Sequence, residues 1–226
     1  LPGSRQSANK QASVRIRRPW RFALSRIGAL LLMFGGHALA AGEEKLYAPC
    51  VACHGNRGQG NASLNAPALA GLDAAYVERQ LRNFRSGIRG SHKSDTFGAQ
   101  MRATAATLPD DAAFKQVSAW ISALPKTVVE KPATGNLRNG NNLYQGKCSA
   151  CHGVRAEGIP ALRAPRLVGL DAAYMKRQFA HFRDSVRGTD PKDLPGRQMA
   201  MMSKTIPTER DLDDVIAFIH QQGRAK

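Results

Sequence analysis

The stretch APCVACHG, residues 48–55, sets Cys50, two spacer residues, Cys53 and then His54 in a row. GKCSACHG, residues 146–153, repeats the arrangement 98 positions later with Cys148, Cys151 and His152. The two stretches use all four cysteines of the chain. A C-x-x-C pair followed at once by histidine is the attachment pattern of a c-type haem. Two thiols add to the vinyl groups of the porphyrin, and the two spacers hold the sulfurs one helical turn apart. The histidine then lies under the iron as proximal ligand. A thioredoxin-like dithiol would need a βαβ setting, which the sequence does not offer. A disulfide across two residues would close a tight, strained loop. Zinc sites built on C-x-x-C pairs do not place a ligand directly behind the second cysteine. The sequence therefore predicts two covalent haem c groups and no protein disulfide.

The first forty residues carry Arg15, Arg17, Arg18, Arg21 and Arg26, then the apolar run IGALLLMFGG, then Ala38 and Ala40 before AGEE. A basic region, an apolar region and small residues before a cut make a secretory signal peptide. The apolar run is shorter than the roughly 20 residues that a membrane span needs. This favours cleavage after Ala40 over a retained anchor, and a periplasmic location.

Shifting the sequence by 98 aligns more than the motifs. Residues 66–90, APALAGLDAAYVERQLRNFRSGIRG, face 164–188, APRLVGLDAAYMKRQFAHFRDSVRG, without a gap. Residues 100–109, QMRATAATLP, face 198–207, QMAMMSKTIP. The chain thus reads as a signal peptide over 1–40, one domain over 41–125, a Pro- and Gly-bearing linker over 126–139, and a second domain over 140–226. Helical periodicity dominates both domains. One helix starts at an Asp73 cap and runs to about residue 86, with Tyr76, Val77, Gln80, Leu81 and Phe84 on one face. Its counterpart starts at Asp171, with Tyr174, Met175, Phe179 and Phe182 inward. The final helices carry Phe114, Val117, Ile121 and Leu124, and Leu212, Val215, Ile216 and Ile219. TERD at 208–211 resembles a capping box. No segment alternates as a strand, so the class is all-α. Each unit is small for an apolar core, and a covalent haem supplies the missing hydrophobic mass.

The repeat also selects the second axial ligand of each iron. His92 faces Asp190, His181 faces Asn83, and His220 faces Ser122, so no further histidine is shared by both halves. Met101 faces Met199, each preceded by Gln. Met201 and Met202 face Ala103 and Thr104, which assigns them to packing. The expected metal ligands are His54 with Met101 and His152 with Met199. Imidazole with thioether favours ferrous iron and raises the potential. It also fills the sixth position, which suits electron transfer and disfavours oxygen or peroxide activation.

Two C-x-x-C-H units, each followed by P-x-L-x-G and by Gln-Met ahead of a last amphipathic helix, resemble the cytochrome c4 family of di-haem cytochromes c. The resemblance spans essentially 42–224. It implies two tandem class I cytochrome c domains, each wrapped around one covalent haem, with propionate edges close enough for internal electron exchange. It implies a periplasmic carrier of single electrons between a quinol-oxidising complex and a terminal oxidase. It also implies that the backbone carbonyls of Pro67 and Pro165 orient the proximal histidines through Nδ1–H.

The full chain has a formal charge of +16. Without the first forty residues it holds 26 basic and 17 acidic residues, or +9, of which +3 falls on 41–131 and +6 on 132–226. Such a surface steers an acidic partner and is compatible with peripheral binding to an anionic membrane face. Nucleic acid is a poor reading, because no basic stripe is interleaved with aromatics. The arginines 79, 85 and 89 recur as 177, 183 and 187, and pairing of some of them with haem propionates is one reading. Two alternatives to a free carrier stand beside it. One is the cytochrome subunit of a periplasmic dehydrogenase. The other is a di-haem peroxidase, which would need an open iron that matched methionines deny it.

Overall fold

The computed structural model describes residues 40–224, so the expected leader over 1–40 lies outside the described residues except for Ala40. Among them the chain is helical and forms no strand, as the periodicity predicts. The first half runs α1 (Ala40–Tyr47), α2 (Val51–His54), α3 (Ala74–Arg85), α4 (Thr96–Ala106) and α5 (Asp111–Ala123). The second half runs α6 (Leu137–Lys147), α7 (Ser149–His152), α8 (Ala172–Arg183), α9 (Leu194–Met202) and α10 (Glu209–Gln222). Among the described residues no helix is long and apolar enough to cross a membrane.

Side-chain caps start the helices, because the first amides of a helix have no partner within it. Asp73 accepts from Tyr76 N at 2.9 Å, Asp171 from Tyr174 N at 2.8 Å, and Asp110 from Ala113 N at 2.8 Å. At TERD the box is half formed. Thr208 Oγ1 accepts from Asp211 N at 3.1 Å, but Asp211 takes the threonine hydroxyl proton at 2.7 Å instead of reaching back to the cap amide.

Each half has its own core. Tyr47, Val77, Phe114, Val117 and Ile121 gather α1, α3 and α5. Tyr144, Met175, Leu212, Ile216 and Ile219 gather α6, α8 and α10. The crossing of α6 and α10 is close. A Cβ on Gly140 would lie 2.0 Å from the Asp214 carbonyl oxygen.

The segment between the halves is fastened to the second. His220 accepts from Ala133 N through Nδ1 at 2.8 Å and donates through Nε2 to Leu170 O at 2.9 Å. Asp214 accepts from Asn136 N at 2.7 Å and from Asn139 Nδ2 at 2.9 Å. Asn136 in turn caps α6, so that helix takes up residues 137–139, expected as linker. The halves also grip each other directly. Arg79 Nη2 donates to Arg163 O at 2.8 Å, and Arg177 donates to Asn65 O at 2.9 Å and to Asn65 Oδ1 at 3.0 Å. Arg163 and Asn65 are equivalent in the repeat, and both sit in the left-handed region, at φ 59° and 56°.

Candidate haem sites

In each half the attachment motif forms a single turn that ends on a glycine. α2 stops at Gly55 (φ 77°) and α7 at Gly153 (φ 82°). The chain then doubles back. Gly60 N donates to His54 O at 2.9 Å and Gly158 N to His152 O at 2.8 Å. Isolated bridges pair Asn61 with Ala66 and Ile159 with Ala164. Gly60 and Gly158 are required here. Both have positive φ, and a Cβ would come within 2.8 Å of the backbone of Pro67 or Pro165. The close approach brings each proline carbonyl onto its histidine. Pro67 O lies 2.8 Å from His54 Nδ1, and Pro165 O lies 2.9 Å from His152 Nδ1.

A carbonyl oxygen can only accept, so Nδ1 carries the proton and Nε2 keeps its lone pair. Holding the second nitrogen in this way fixes both tautomer and ring orientation for metal binding. Both rings are buried, and burial holds their pKa values below the ordinary histidine range despite the proline hydrogen bonds. Burial thus favours the neutral form that a metal ligand needs. Burial also pushes the Cys50 and Cys148 thiols up to about 11.

Cys50, Cys53, His54, Pro67 and Met101 share one cleft, whose empty space, mouth included, is about 1300 Å³. Cys148, Cys151, His152, Pro165 and Met199 share a second of about 1440 Å³. Val77, Phe84 and Val117 line the first, and Met175, Phe182 and Ile216 line the second. Large apolar clefts with a few polar groups are the usual form of cofactor sites. The fit to a haem c is good on three counts: two thiols, one pre-oriented imidazole and an apolar wall. Met202 also lines the second cleft, at its half-exposed edge, while Met201 is 65% exposed. That agrees with packing and surface roles for the two.

The structure adds anchors that the 98-residue register hides. Tyr47 Oη donates to Gly55 O at 2.9 Å, and Tyr144 Oη to Gly153 O at 2.7 Å. Both tyrosines are fully buried and pin the turn that follows the histidine. They stand 97 residues apart, not 98, because three residues lead from Tyr47 to Cys50, through a 3-10 turn over Ala48–Cys50, and four lead from Tyr144 to Cys148. Of the basic residues near the motifs, Arg57 and Arg163 are exposed. Arg166 is half-buried, and burial lowers its pKa, so it is not a free surface charge.

The family model described as cytochrome c matches the chain twice, over residues 40–125 and 137–223. A protein named thiosulfate dehydrogenase electron acceptor, from Stutzerimonas stutzeri (strain A1501), is 33% identical over 80% of this chain and 87% of its own length. Cytochrome c4 of Azotobacter vinelandii is 31% identical over 71% of this chain and 80% of its own. The crystal structure of reduced recombinant cytochrome c4 from Pseudomonas stutzeri superposes with a TM-score of 0.64 at 24% identity, covering 80% of this chain and 97% of that one.

Proposed function

The chain belongs to the di-haem cytochrome c4 family of electron-transfer cytochromes, with two covalent haem c groups, and on that premise we propose the route and the ligands by which it carries electrons. When bound, a haem c supplies one iron that exchanges a single electron. His54 and Met101 would hold that iron in the first half, and His152 and Met199 in the second. Pro67 and Pro165 keep each imidazole aimed at the metal. The apolar walls keep water off it. With an imidazole and a thioether both supplied by the chain, the iron would keep its ligands on gaining an electron and would offer no position to peroxide or oxygen. The protein works in the periplasm as a carrier, taking electrons from a quinol-oxidising complex and passing them to a terminal oxidase, with exchange between its two halves.

The observation that carries this reading is the recurrence, in both clefts, of a carbonyl-oriented imidazole with a methionine on the same cleft. A peroxidase would need one cleft to differ. The test is reaction of the reduced holoprotein with carbon monoxide and peroxide. Slow carbon monoxide binding and negligible peroxide turnover are expected, with fast transfer to an acidic partner that slows as salt rises. Rapid carbon monoxide binding at one haem with sustained turnover would sink the carrier. A second donor is favoured by the relative named as a thiosulfate dehydrogenase electron acceptor. In that reading a periplasmic dehydrogenase reduces the protein directly. Stopped-flow reduction by the dehydrogenase, against reduction by the quinol-oxidising complex, separates the two.

A further inference from the structure

The methionines of the described residues are unevenly placed. Four of the five belong to the second half, where Met175 is buried in the core and Met199, Met201 and Met202 share α9. The first half has Met101 alone, with Val77, Ala103 and Thr104 at the other equivalent positions. A repeated fold that is complete with alanine and threonine at two outer positions does not need methionine there. At the counterparts of those positions the second half presents two thioethers to solvent, Met201 at 65% exposure and Met202 at 38%. Packing does not account for Met201, which lines neither of the two clefts and joins neither core.

The three sulfurs of α9 are graded outward. Met199 and Met202 stand three residues apart, so they are neighbours on one helix face, and both line the second cleft. Met199 is half-buried, Met202 sits at the cleft edge, and Met201 is turned to solvent. The consequences of oxidation are graded the same way. An exposed thioether that becomes a sulfoxide loses no packing. At Met175, 9% exposed, the same change puts a polar S=O into the core. At Met101 or Met199 it replaces the soft sulfur that each cleft presents.

We propose that Met201 and Met202 form an expendable modification site, oxidised first by hypohalous acid and thereby sparing Met175 and the two cleft methionines. The value of sparing Met101 and Met199 rests on the reading that they hold iron. The sulfur lone pair attacks the chlorine of hypochlorous acid, the O–Cl bond breaks and hydroxide leaves. Water then adds its oxygen to sulfur as chloride departs. The net products are sulfoxide, chloride and one proton. Sulfur gives up two electrons and chlorine takes them, so each sulfur consumes one oxidant molecule. Methionine sulfoxide is reversible by sulfoxide reductases, which makes the site renewable.

The test adds hypochlorous acid stepwise to the ferric holoprotein. Fragment-ion mass spectrometry reads each methionine, because Met199, Met201 and Met202 lie together between Arg197 and Lys204. Electron paramagnetic resonance reads the haem spin states in parallel. Met201 should be modified first and Met202 second. Met101, Met175 and Met199 should stay intact until about two equivalents per chain are consumed, one per expendable sulfur. Met201→Leu with Met202→Leu keeps apolar volume and removes both sulfurs, and the lag should vanish. Met201→Leu alone, at a solvent position, should halve it. Ala103→Met, at an exposed position of α4, adds a third sulfur and should lengthen it by about one equivalent. Oxidation of Met199 or Met175 as early as Met201 in the parent refutes the proposal. So does a lag of the same length in the double variant, or one that Ala103→Met leaves unmoved. Failure of the ligand reading looks different: sulfoxide at Met199 with every haem still low-spin removes that sulfur from iron and leaves the order of oxidation standing.

Discussion

Gly140 and Gly146 lie in the same helix, six residues apart, and alanine should act on them with opposite sign. At Gly140 an added Cβ meets backbone of α10: 2.0 Å to the Asp214 carbonyl oxygen, 2.6 Å to its carbon and 3.1 Å to Phe218 Cβ. A carbon rests no closer than about 3.3 Å from a carbonyl oxygen, so α6 must retreat by about 1 Å. Backbone cannot rotate out of the way as a side chain does. Overpacking of a closed contact costs about 1–3 kcal/mol, and here the upper end applies. Alanine's better helix propensity returns about 1 kcal/mol, leaving Gly140→Ala about 2 kcal/mol less stable. At Gly146 an added Cβ has nothing within 4 Å, and the residue is exposed. There only propensity acts, and Gly146→Ala should gain about 0.5–1 kcal/mol. Guanidinium unfolding of the holoprotein, followed by far-UV circular dichroism and by haem absorption, reads both. The midpoints should move in opposite directions with unchanged slopes. If Gly140→Ala matches the parent, or if both variants move the same way, the argument from the α6–α10 contact is wrong.

Three further outcomes are expected. Met101→Ala and Met199→Ala should each turn one haem of two high-spin or water-ligated and lower its potential, whereas Met201→Ala and Met202→Ala leave both low-spin. Electron paramagnetic resonance decides, and a high-spin signal from Met202→Ala instead of Met199→Ala would reassign the ligand. Tyr144→Phe strands the buried Gly153 carbonyl and should cost about 1–3 kcal/mol in thermal unfolding, so a Tm equal to the parent's would show the hydroxyl to be idle. His220 is held below its ordinary pKa, chiefly by burial, while the unfolded chain titrates near 6.5. The unfolded state therefore takes up its proton first as pH falls, and the stability His220 contributes is whole above about 6.5 and lost below it. His220→Gln should flatten that acid limb in urea midpoints taken from pH 7.5 to 5, and an unchanged limb would remove His220 from it.

The attachment motifs and the methionine pair were legible because each survives a strict 98-residue shift. So were α3, α5, α8 and α10, whose caps and apolar stripes are local signals. Tyr47 and Tyr144 were not, since one extra residue before the second motif breaks the register between them. Gln80 was visible only as one more residue on the inward face of α3. Its partner Arg187 lies 107 residues away, and no local pattern encodes a contact made across two halves. His220 looked unassigned because the first half has Ser122 in its place. Its task is to hold the connecting segment, which only one half needs to do. The half-formed box at Thr208 shows the reverse case, in which a correct local signal is realised by a different hydrogen bond.

The fastening of residues 133–139 onto α10 makes the connection between the halves a seam, not a hinge. With the seam closed by His220 and Asp214, and the arginine clasps on Asn65 and Arg163 beside it, the spacing of the two clefts is set once, on folding. An electron crossing from one cleft to the other then waits for no diffusive search. Under the proposed function its rate should be indifferent to the viscosity of the medium, while delivery to an outside partner should slow as viscosity rises.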